Sequence, residues 1–240
     1  MRRAILFVSA LLLASAAPAS AQLDQILKEI DTYSRPGVGT PGDAKIGAAL
    51  KQALQVGTEN AVKLTGKTDG YLTNKAIKIL MPERLRTVER GLRTAGYGSE
   101  VDKLVLNMNR AAERAAPSAK KIFWNAIGGM TIDDARRILG GTPTAATDYF
   151  KSKTSASLTL AFRPIVDQAM NEVGTTRQYN ELLGQAKAIP FLKTENYDLD
   201  RYVVGKALDG LFHMVGEEER KIRADPAARV TDLLKEVFGK

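Results

Sequence analysis

The sequence predicts an all-α protein: an irregular multi-helix bundle with a short extended or minimal hairpin segment near residues 71–81. Most segments place apolar residues at the three-to-four-residue spacing of a helix face. No alternating strand pattern continues for more than about five residues. No fixed-period repeat is visible, which argues against a solenoid. These observations favour a single packed helical domain.

The first 21 residues have the features of a secretory signal peptide. Arg2 and Arg3 precede an apolar run that is too short to cross a bilayer comfortably, and Ala-Ser-Ala at 19–21 is a small-residue cleavage site. An uncleaved membrane anchor is the alternative. We expect a signal peptide over 1–21, an N-terminal arm and linker over 22–42, and a single helical domain over 43–240. No later run approaches transmembrane length, so we expect no transmembrane segment in the mature chain.

The composition excludes several kinds of chemistry. The chain has no cysteine, which excludes thiolate catalysis and thiolate metal ligands. It carries 35 Lys and Arg against 27 Asp and Glu, a formal net charge of +8. Anionic lipid or cell-wall polymer would suit that charge, although the alternating signs favour an ordinary solvated surface. No Lys/Arg block is interleaved with aromatic residues, so nucleic acid is not an expected partner.

The first helices of the domain are bounded by Gly and Pro. One is expected from Asp43, as N-cap, to Gly66, and another from Pro82 to Gly96. Ser99 is expected to cap a longer helix that Pro117 breaks. The predicted core positions of the last two are Leu85, Val88 and Leu92, then Val101, Leu104, Met108, Ala111 and Ala115.

The later helices follow the same logic. Thr131 is an expected N-cap, and a helix that starts at Thr142-Pro143 is expected to be interrupted at Pro164. A short helix precedes Pro190, and a last long one ends at Asp225-Pro226. The exposed end of that helix is expected to carry two i,i+4 ion pairs, Glu217 with Lys221 and Glu219 with Arg223.

Gly66-Lys67-Thr68 resembles the end of a phosphate-binding P-loop, but the spacing is wrong. A P-loop needs a second Gly where this chain has Ala61, and it needs a strand before the loop. A calcium loop is also disfavoured, because Asp69 is the only carboxylate in the segment. Asp69-Gly70 instead indicates a left-handed turn. If this segment carries function, Asp69 and Tyr71 are the first candidates.

Evidence for catalysis is weak elsewhere. His213 is the only histidine and lies among core positions, so neither a catalytic triad nor a metal site is predicted, and no cofactor is expected. Asp133-Asp134 suits a helix start, and Glu217–Glu219 suit ion pairs. A hydrolase that uses paired carboxylates stays open as an alternative, since the sequence does not set their separation.

One helix face combines polar residues with the edge of an apolar stripe. Asn107, Asn109, Arg110 and Glu113 lie there, together with Arg114. Polar groups so close to a core must be hydrogen-bonded. Two interpretations follow: a structural network that ties this helix to its neighbours, or the polar lining of a ligand pocket.

Several unusual strings occur together in this chain: GKTDGYLTNKAIKILMPERL, LVLNMNRAAERAAPSAKKIFWNAI, DDARRILGG, ATDYF and YVVGKALDGLFHMVGEEERKIRADP. With them the chain, from about 44 to 238, resembles the bacterial family known as domain of unknown function 4197. The resemblance implies one domain, export in a Gram-negative bacterium and no established activity. It adds Tyr149 and Asp209 to the candidate ligand-binding residues and supports Asp69, Asn109, Arg110 and Glu113, which also lie in the family's strings.

The sequence therefore predicts an exported periplasmic protein, more a binding or scaffold module than an enzyme. Expected partners are a lipid or other hydrophobic ligand, or another envelope protein. The alternatives are a carboxylate-dependent cell-envelope hydrolase and an adaptor. A pocket with two facing carboxylates would favour the hydrolase, an apolar tunnel would favour ligand binding, and a large exposed apolar patch would favour the adaptor.

Overall fold

The computed structural model describes residues 41–188 and 197–224. The chain divides into two compact units, Met1–Gly42 and Asp43–Lys240, and nearly all described residues belong to the second. The predicted signal peptide, its cleavage site, most of the arm and linker, Pro190 and the chain beyond Asp225 lie outside the described residues.

The described part of the chain is helical and contains no β-strand, which confirms the all-α prediction. Two short 3₁₀ turns are formed by Glu83–Leu85 and Ala116–Ser118. The helices are α1 (Pro41–Gly66), α2 (Arg86–Thr94), α3 (Gly98–Ala115), α4 (Ala119–Gly128), α5 (Ile132–Leu139), α6 (Ala145–Glu172), α7 (Thr175–Lys187) and α8 (Leu199–Ala224).

A single large apolar cluster joins residues from all of these helices. Helices α6 and α8 share an extensive interface, and α3 packs against both. Phe123 and Phe150 are fully buried in this cluster and meet edge to face, with ring centroids 5.2 Å apart. No described helix is both long enough and apolar enough to cross a membrane.

Three local predictions are confirmed. The whole apolar stripe of α3 is buried, and the α-helix ends just before Pro117, as expected from proline's missing N–H. The expected core positions of α2 are also buried. Thr131 caps α5 in a reciprocal box, in which its hydroxyl accepts the N–H of Asp134 while the Asp134 carboxylate accepts the N–H of Thr131.

Several predicted helix starts differ from those observed. Helix α1 spans Pro41–Gly66 and therefore contains Asp43, and α2 begins at Arg86, after Pro82 and the 3₁₀ turn Glu83–Leu85. Helix α3 begins after Tyr97, and the Ser99 hydroxyl donates to Glu100 instead of capping the backbone. Helix α6 begins after Thr144, without a side-chain cap, two residues later than Thr142-Pro143 indicated. Boundaries of this kind depend on tertiary contacts that local spacing does not contain.

The predicted interruption at Pro164 is wrong, because α6 continues through it from Ala145 to Glu172. Leu158 and Phe162 before the proline and Val166 after it are fully buried, and their packing holds the helix together. Pro164 itself is exposed, so water can bind the carbonyl that the proline leaves without a donor.

The predicted ion pairs at the end of α8 are half correct. Arg223 pairs with Glu219 as expected, whereas Glu217 pairs with Arg220, and Lys221 pairs with Glu218. This end of α8 is also less exposed than predicted. Glu218 and Glu219 are buried, and Glu219 accepts the N–H groups of Ala146 and Thr147 at the start of α6.

Candidate functional site

Residues 67–82 join α1 to α2 and are called here the α1–α2 connection. It is built from successive turns, with the Gly70 N–H donating to Lys67 and the Thr73 N–H donating to Asp69. Asp69 has a φ of 64°, which confirms the predicted left-handed corner. A Cβ at Gly70 would lie 2.4 Å from the carbonyl oxygen of Leu64, so only glycine fits beside the end of α1.

Helix α3 holds this connection through side chains instead of a second strand. Asn109 accepts the Ile79 N–H at 2.9 Å and donates to the Ile79 carbonyl at 2.8 Å, the two bonds that a neighbouring strand would make. Glu113 Oε1 accepts the N–H groups of Tyr71 at 3.1 Å and Leu72 at 3.2 Å. The hairpin alternative for residues 71–81 is therefore not observed, because α3 supplies the missing partners.

Arg110 links Glu113 on α3 to Asp69 in the connection and so completes a hydrogen-bond network between them. Its guanidinium bonds to Glu113 and to Asp69, each at 2.7 Å, and these charge-assisted bonds raise its pKa, against a smaller opposing effect of burial. Asp69 and Arg110 are each partly exposed, whereas Glu113 is buried. Arg110 thus compensates the buried charge of Glu113, the carboxylate that orders the turn.

Tyr71 fastens the connection to α8. The ring is fully buried, and its hydroxyl donates to the Ala207 carbonyl at 2.6 Å. Burial, followed by the nearby charge of Glu113, raises the pKa of the Tyr71 hydroxyl far above its usual range. Tyr71 is therefore a neutral structural donor and has no accessible proton for catalysis.

The structure thus brings together five of the predicted site residues: Asp69, Tyr71, Asn109, Arg110 and Glu113. They satisfy one another and the backbone, as the network interpretation expects. Asn107 lies on α3 outside this network, and its buried Nδ2 has no hydrogen-bond partner in the described ranges.

Asp209 lies elsewhere, in an open cleft of about 400 Å³ between α8 and residues 76–86, called here the α8 cleft. Ile77, Leu80 and Met81 supply its apolar side. The Tyr202 hydroxyl donates to the Leu80 carbonyl at 2.9 Å and fixes one rim. The charged and titratable lining residues are Lys78, Glu83, Arg86, Lys206, Asp209 and His213.

The charges of the α8 cleft are unevenly matched. Glu83 pairs with Arg86 at 3.1 Å, and Asp209 pairs with Lys206 at 3.4 Å. His213 Nε2 lies 3.8 Å from Glu217. Lys78 makes no ion pair with any residue that the structure describes. The cleft therefore has an excess of positive charge, together with exposed apolar surface at Leu80.

Tyr149 lies at a second cleft, of about 560 Å³, between α4, the start of α5 and α6, called here the α4–α6 cleft. Its hydroxyl donates to the Ala126 carbonyl at 3.3 Å, and burial raises its pKa, with a contribution from Asp134. The polar lining of this cleft comprises Asn125, Thr131, Asp134, Lys153, Thr154 and Ser157.

Sequence analysis did not identify Lys78, Arg86, Lys206, Asn125, Lys153 or Ser157. Each is an ordinary exposed residue on its own element, and only the packing of distant segments turns them into cleft walls. Within residues 41–188 and 197–224, no three His, Asp or Glu side chains are arranged to hold a metal ion.

The comparisons with known proteins give one match. The model of a family described as "Protein of unknown function (DUF4197)" matches residues 40–239. No curated protein and no solved structure matches the chain.

Proposed function

This chain belongs to the DUF4197 family of proteins of unknown function, and on that premise we propose that it is a non-enzymatic binding module whose α8 cleft holds an amphipathic anion. The single observation that carries the proposal is Lys78, which forms no ion pair with a described residue and lies beside apolar surface in an open cleft. The signal-peptide features of residues 1–21 support export, and the family resemblance supports the periplasm of a Gram-negative bacterium.

The lining matches an amphipathic anion in two ways. Lys78, with Arg86 and Lys206 nearby, offers charge-assisted hydrogen bonds to a carboxylate or phosphate. Ile77, Leu80 and Met81 offer apolar contact to the adjoining part of the ligand. A volume of about 400 Å³ suits a head group with a short apolar segment, and not a purely apolar molecule in a closed tunnel.

The cleft wall is held in place before a ligand arrives. Asn109 fixes Ile79 from the α3 side, and Tyr202 fixes Leu80 from the α8 side. Ile79 and Leu80, which lie between Lys78 and Met81, are thus ordered by bonds that do not involve a ligand. Such preorganisation lowers the entropic cost of binding.

The hydrolase alternative has one favourable observation, since Glu83 and Asp209 line the same cleft. Each, however, is already paired with a cation three residues away, and no observation places the two carboxylates opposite one another across a bond to be cleaved. The buried carboxylates of Glu113 and Glu219 are already used by backbone N–H groups. The adaptor alternative is also less supported, because the exposed large apolar residues Ile46, Trp124 and Leu160 lie on three different helices.

The test is a titration of the full mature chain with decanoate and, as its uncharged match, decanol, followed by native mass spectrometry. We expect decanoate to bind more tightly than decanol. The Lys78→Met substitution should weaken decanoate binding by about tenfold. Lys75→Met is the control, because Lys75 is exposed on the same connection but does not line the cleft.

Equal decanoate affinity in Lys78→Met and the parent would contradict the proposal, as would the absence of binding at millimolar decanoate. Organic extraction of protein purified from the periplasm provides an independent check. A reproducible co-purifying anionic amphiphile would support the proposal, and its loss in Lys78→Met would assign it to the α8 cleft.

A further inference from the structure

The α4–α6 cleft has a chemistry different from that of the α8 cleft. Hydroxyl and amide groups dominate its polar lining, and a tyrosine ring lies in its wall. Ile122 and Ala126 are its larger apolar contacts, both on α4. A ligand here would meet more polar side chains than apolar ones.

Part of this lining is already committed to the fold. Asp134 accepts from the N–H and the hydroxyl of Thr131 and from Arg137, so its oxygens are engaged. Thr154 donates to the Phe150 carbonyl inside α6. These groups shape the cleft but offer little to a ligand.

Three other polar groups make no hydrogen bond to any residue that the structure describes. The Asn125 amide and the Ser157 hydroxyl make no hydrogen bond among residues 41–188 and 197–224. The Lys153 ammonium makes neither a hydrogen bond nor an ion pair there; it lies 5.9 Å from the centroid of the Tyr149 ring. An amide, a hydroxyl and one cation thus converge on an open volume beside an aromatic side chain.

We propose that the α4–α6 cleft is a second binding site, which takes an acidic saccharide: a sugar ring that carries a carboxylate. Lys153 pairs with the carboxylate, and Asn125 and Ser157 bond to ring hydroxyls. The side chain of Tyr149 provides apolar contact for the C–H groups of the sugar. Asp134 forms its direct ion pair with Arg137 at 2.8 Å, so the Lys153 ammonium, which makes no ion pair with a described residue, can pair with the ligand.

The proposal goes beyond the proposed function, because it concerns a different cleft and a different class of ligand. The probes are glucuronate and two partial matches, glucose without the carboxylate and cyclohexanecarboxylate without the hydroxyls. Each probe is titrated into the isotopically labelled full mature chain, and binding is monitored through the backbone amide NMR signals. We expect glucuronate to shift the amide signals of Asn125, Lys153 and Ser157 and to bind at least about tenfold more tightly than either partial match.

Lys153→Met and Asn125→Ala should each reduce the affinity for glucuronate severalfold. Lys151→Met is the matched control, because Lys151 is exposed on the same helix and does not line the cleft. An unchanged spectrum without ligand shows that each variant is folded.

Two results would overturn the proposal: no amide shift at millimolar glucuronate, or shifts that map to Lys78 and Lys206 instead. Equal binding of cyclohexanecarboxylate would also overturn it, since the cleft would then recognise only the charge. None of these results bears on whether decanoate binding depends on Lys78, so each proposal can fail without the other.

Discussion

At the scale of single residues, two glycines of α8 have opposite surroundings. A Cβ at Gly210 would lie 2.5 Å from Cε1 of Tyr71 and 3.1 Å from Cβ of Ile77. The Tyr71 ring cannot withdraw easily, because it is fully buried and its hydroxyl is bonded to Ala207. Gly205 is exposed, and a Cβ there would meet nothing within 4 Å. The absence of a side chain at Gly210 therefore lets the α1–α2 connection pack against α8, whereas Gly205 has no such role.

We predict that Gly210→Ala lowers the free energy of unfolding by about 1–3 kcal/mol, the usual cost of overpacking a core. Gly205→Ala should raise it by about 0.5–1 kcal/mol, since alanine favours the helix. Urea denaturation of the two variants measures both effects. Equal stabilisation by both substitutions would show that Tyr71 does not pack against Gly210.

The candidate residues show what sequence can predict at this scale. Polar groups at the edge of an apolar stripe had to be bonded, and Asn109 and Glu113 are. The partner of Glu113, however, lies 42 residues earlier in the chain. Spacing along one helix contains no information on which distant backbone it meets. For the same reason the cleft lysines could not be recognised before the elements were packed.

At the scale of elements, the capping box of α5 makes the stability of this short helix depend on pH. Hydrogen bonds from the Thr131 hydroxyl and backbone lower the pKa of Asp134, with added attraction from Arg137 and Lys153. Since the folded-state pKa is below the unfolded value of about 3.9, Asp134 stabilises the fold above that pH. That contribution is lost as the pH falls through the lowered pKa.

We therefore predict that Asp134→Asn is less stable than the parent at pH 7, and that the difference disappears in strong acid. Thr131→Ala should cost about 1 kcal/mol at pH 7 through loss of the N-cap. Urea denaturation at a series of pH values tests this. A difference between parent and Asp134→Asn that did not change with pH would rule out the charged box as its source.

Helix α6 shows where local rules are overridden. Proline normally ends a helix, but here fully buried Leu158 and Phe162 on one side and Val166 on the other hold it together. Propensity is a weaker influence than a continuous buried face over 28 residues. By contrast, Pro117 does end α3, with Ala116–Ser118 forming a 3₁₀ turn.

We predict that Pro164→Ala stabilises the protein by about 1–3 kcal/mol, because alanine restores a backbone donor and removes the ring's clash with the preceding turn. Thermal unfolding gives the comparison, and Arg163→Ala at the exposed neighbouring position is the control. A destabilised Pro164→Ala would instead mean that the bend imposed by proline is needed to seat Phe162.

At the scale of the whole molecule, the α1–α2 connection belongs to the core although it has no regular secondary structure. Tyr71, Ile77, Ile79 and Met81 are buried in the same apolar cluster as the helices. Asn109 and Glu113 bond this segment to α3, and Tyr71 bonds it to α8. The connection should therefore unfold together with α3 and α8, and not as a separate loop.

Native-state hydrogen exchange distinguishes these two behaviours. We predict that the amides of Tyr71 and Ile79 exchange as slowly as those in the middle of α3, because both donate to buried side chains. The Lys75 amide should exchange quickly, since the residue is exposed and its N–H has no acceptor in the part of the chain described. Fast exchange at Tyr71 and Ile79 would mean that the connection opens independently of the helices.

A pair of substitutions on α3 completes this test. Asn109→Ala leaves the Ile79 N–H and carbonyl buried without partners and should lower the free energy of unfolding by about 2 kcal/mol. It should also speed exchange along the connection. Asn107→Ala is the matched control, two residues away on the same helix, where the side-chain nitrogen has no described partner to lose. If both variants lost the same stability, the asparagine on α3 would not be acting as the substitute for a strand, and the connection would be held by its apolar contacts alone.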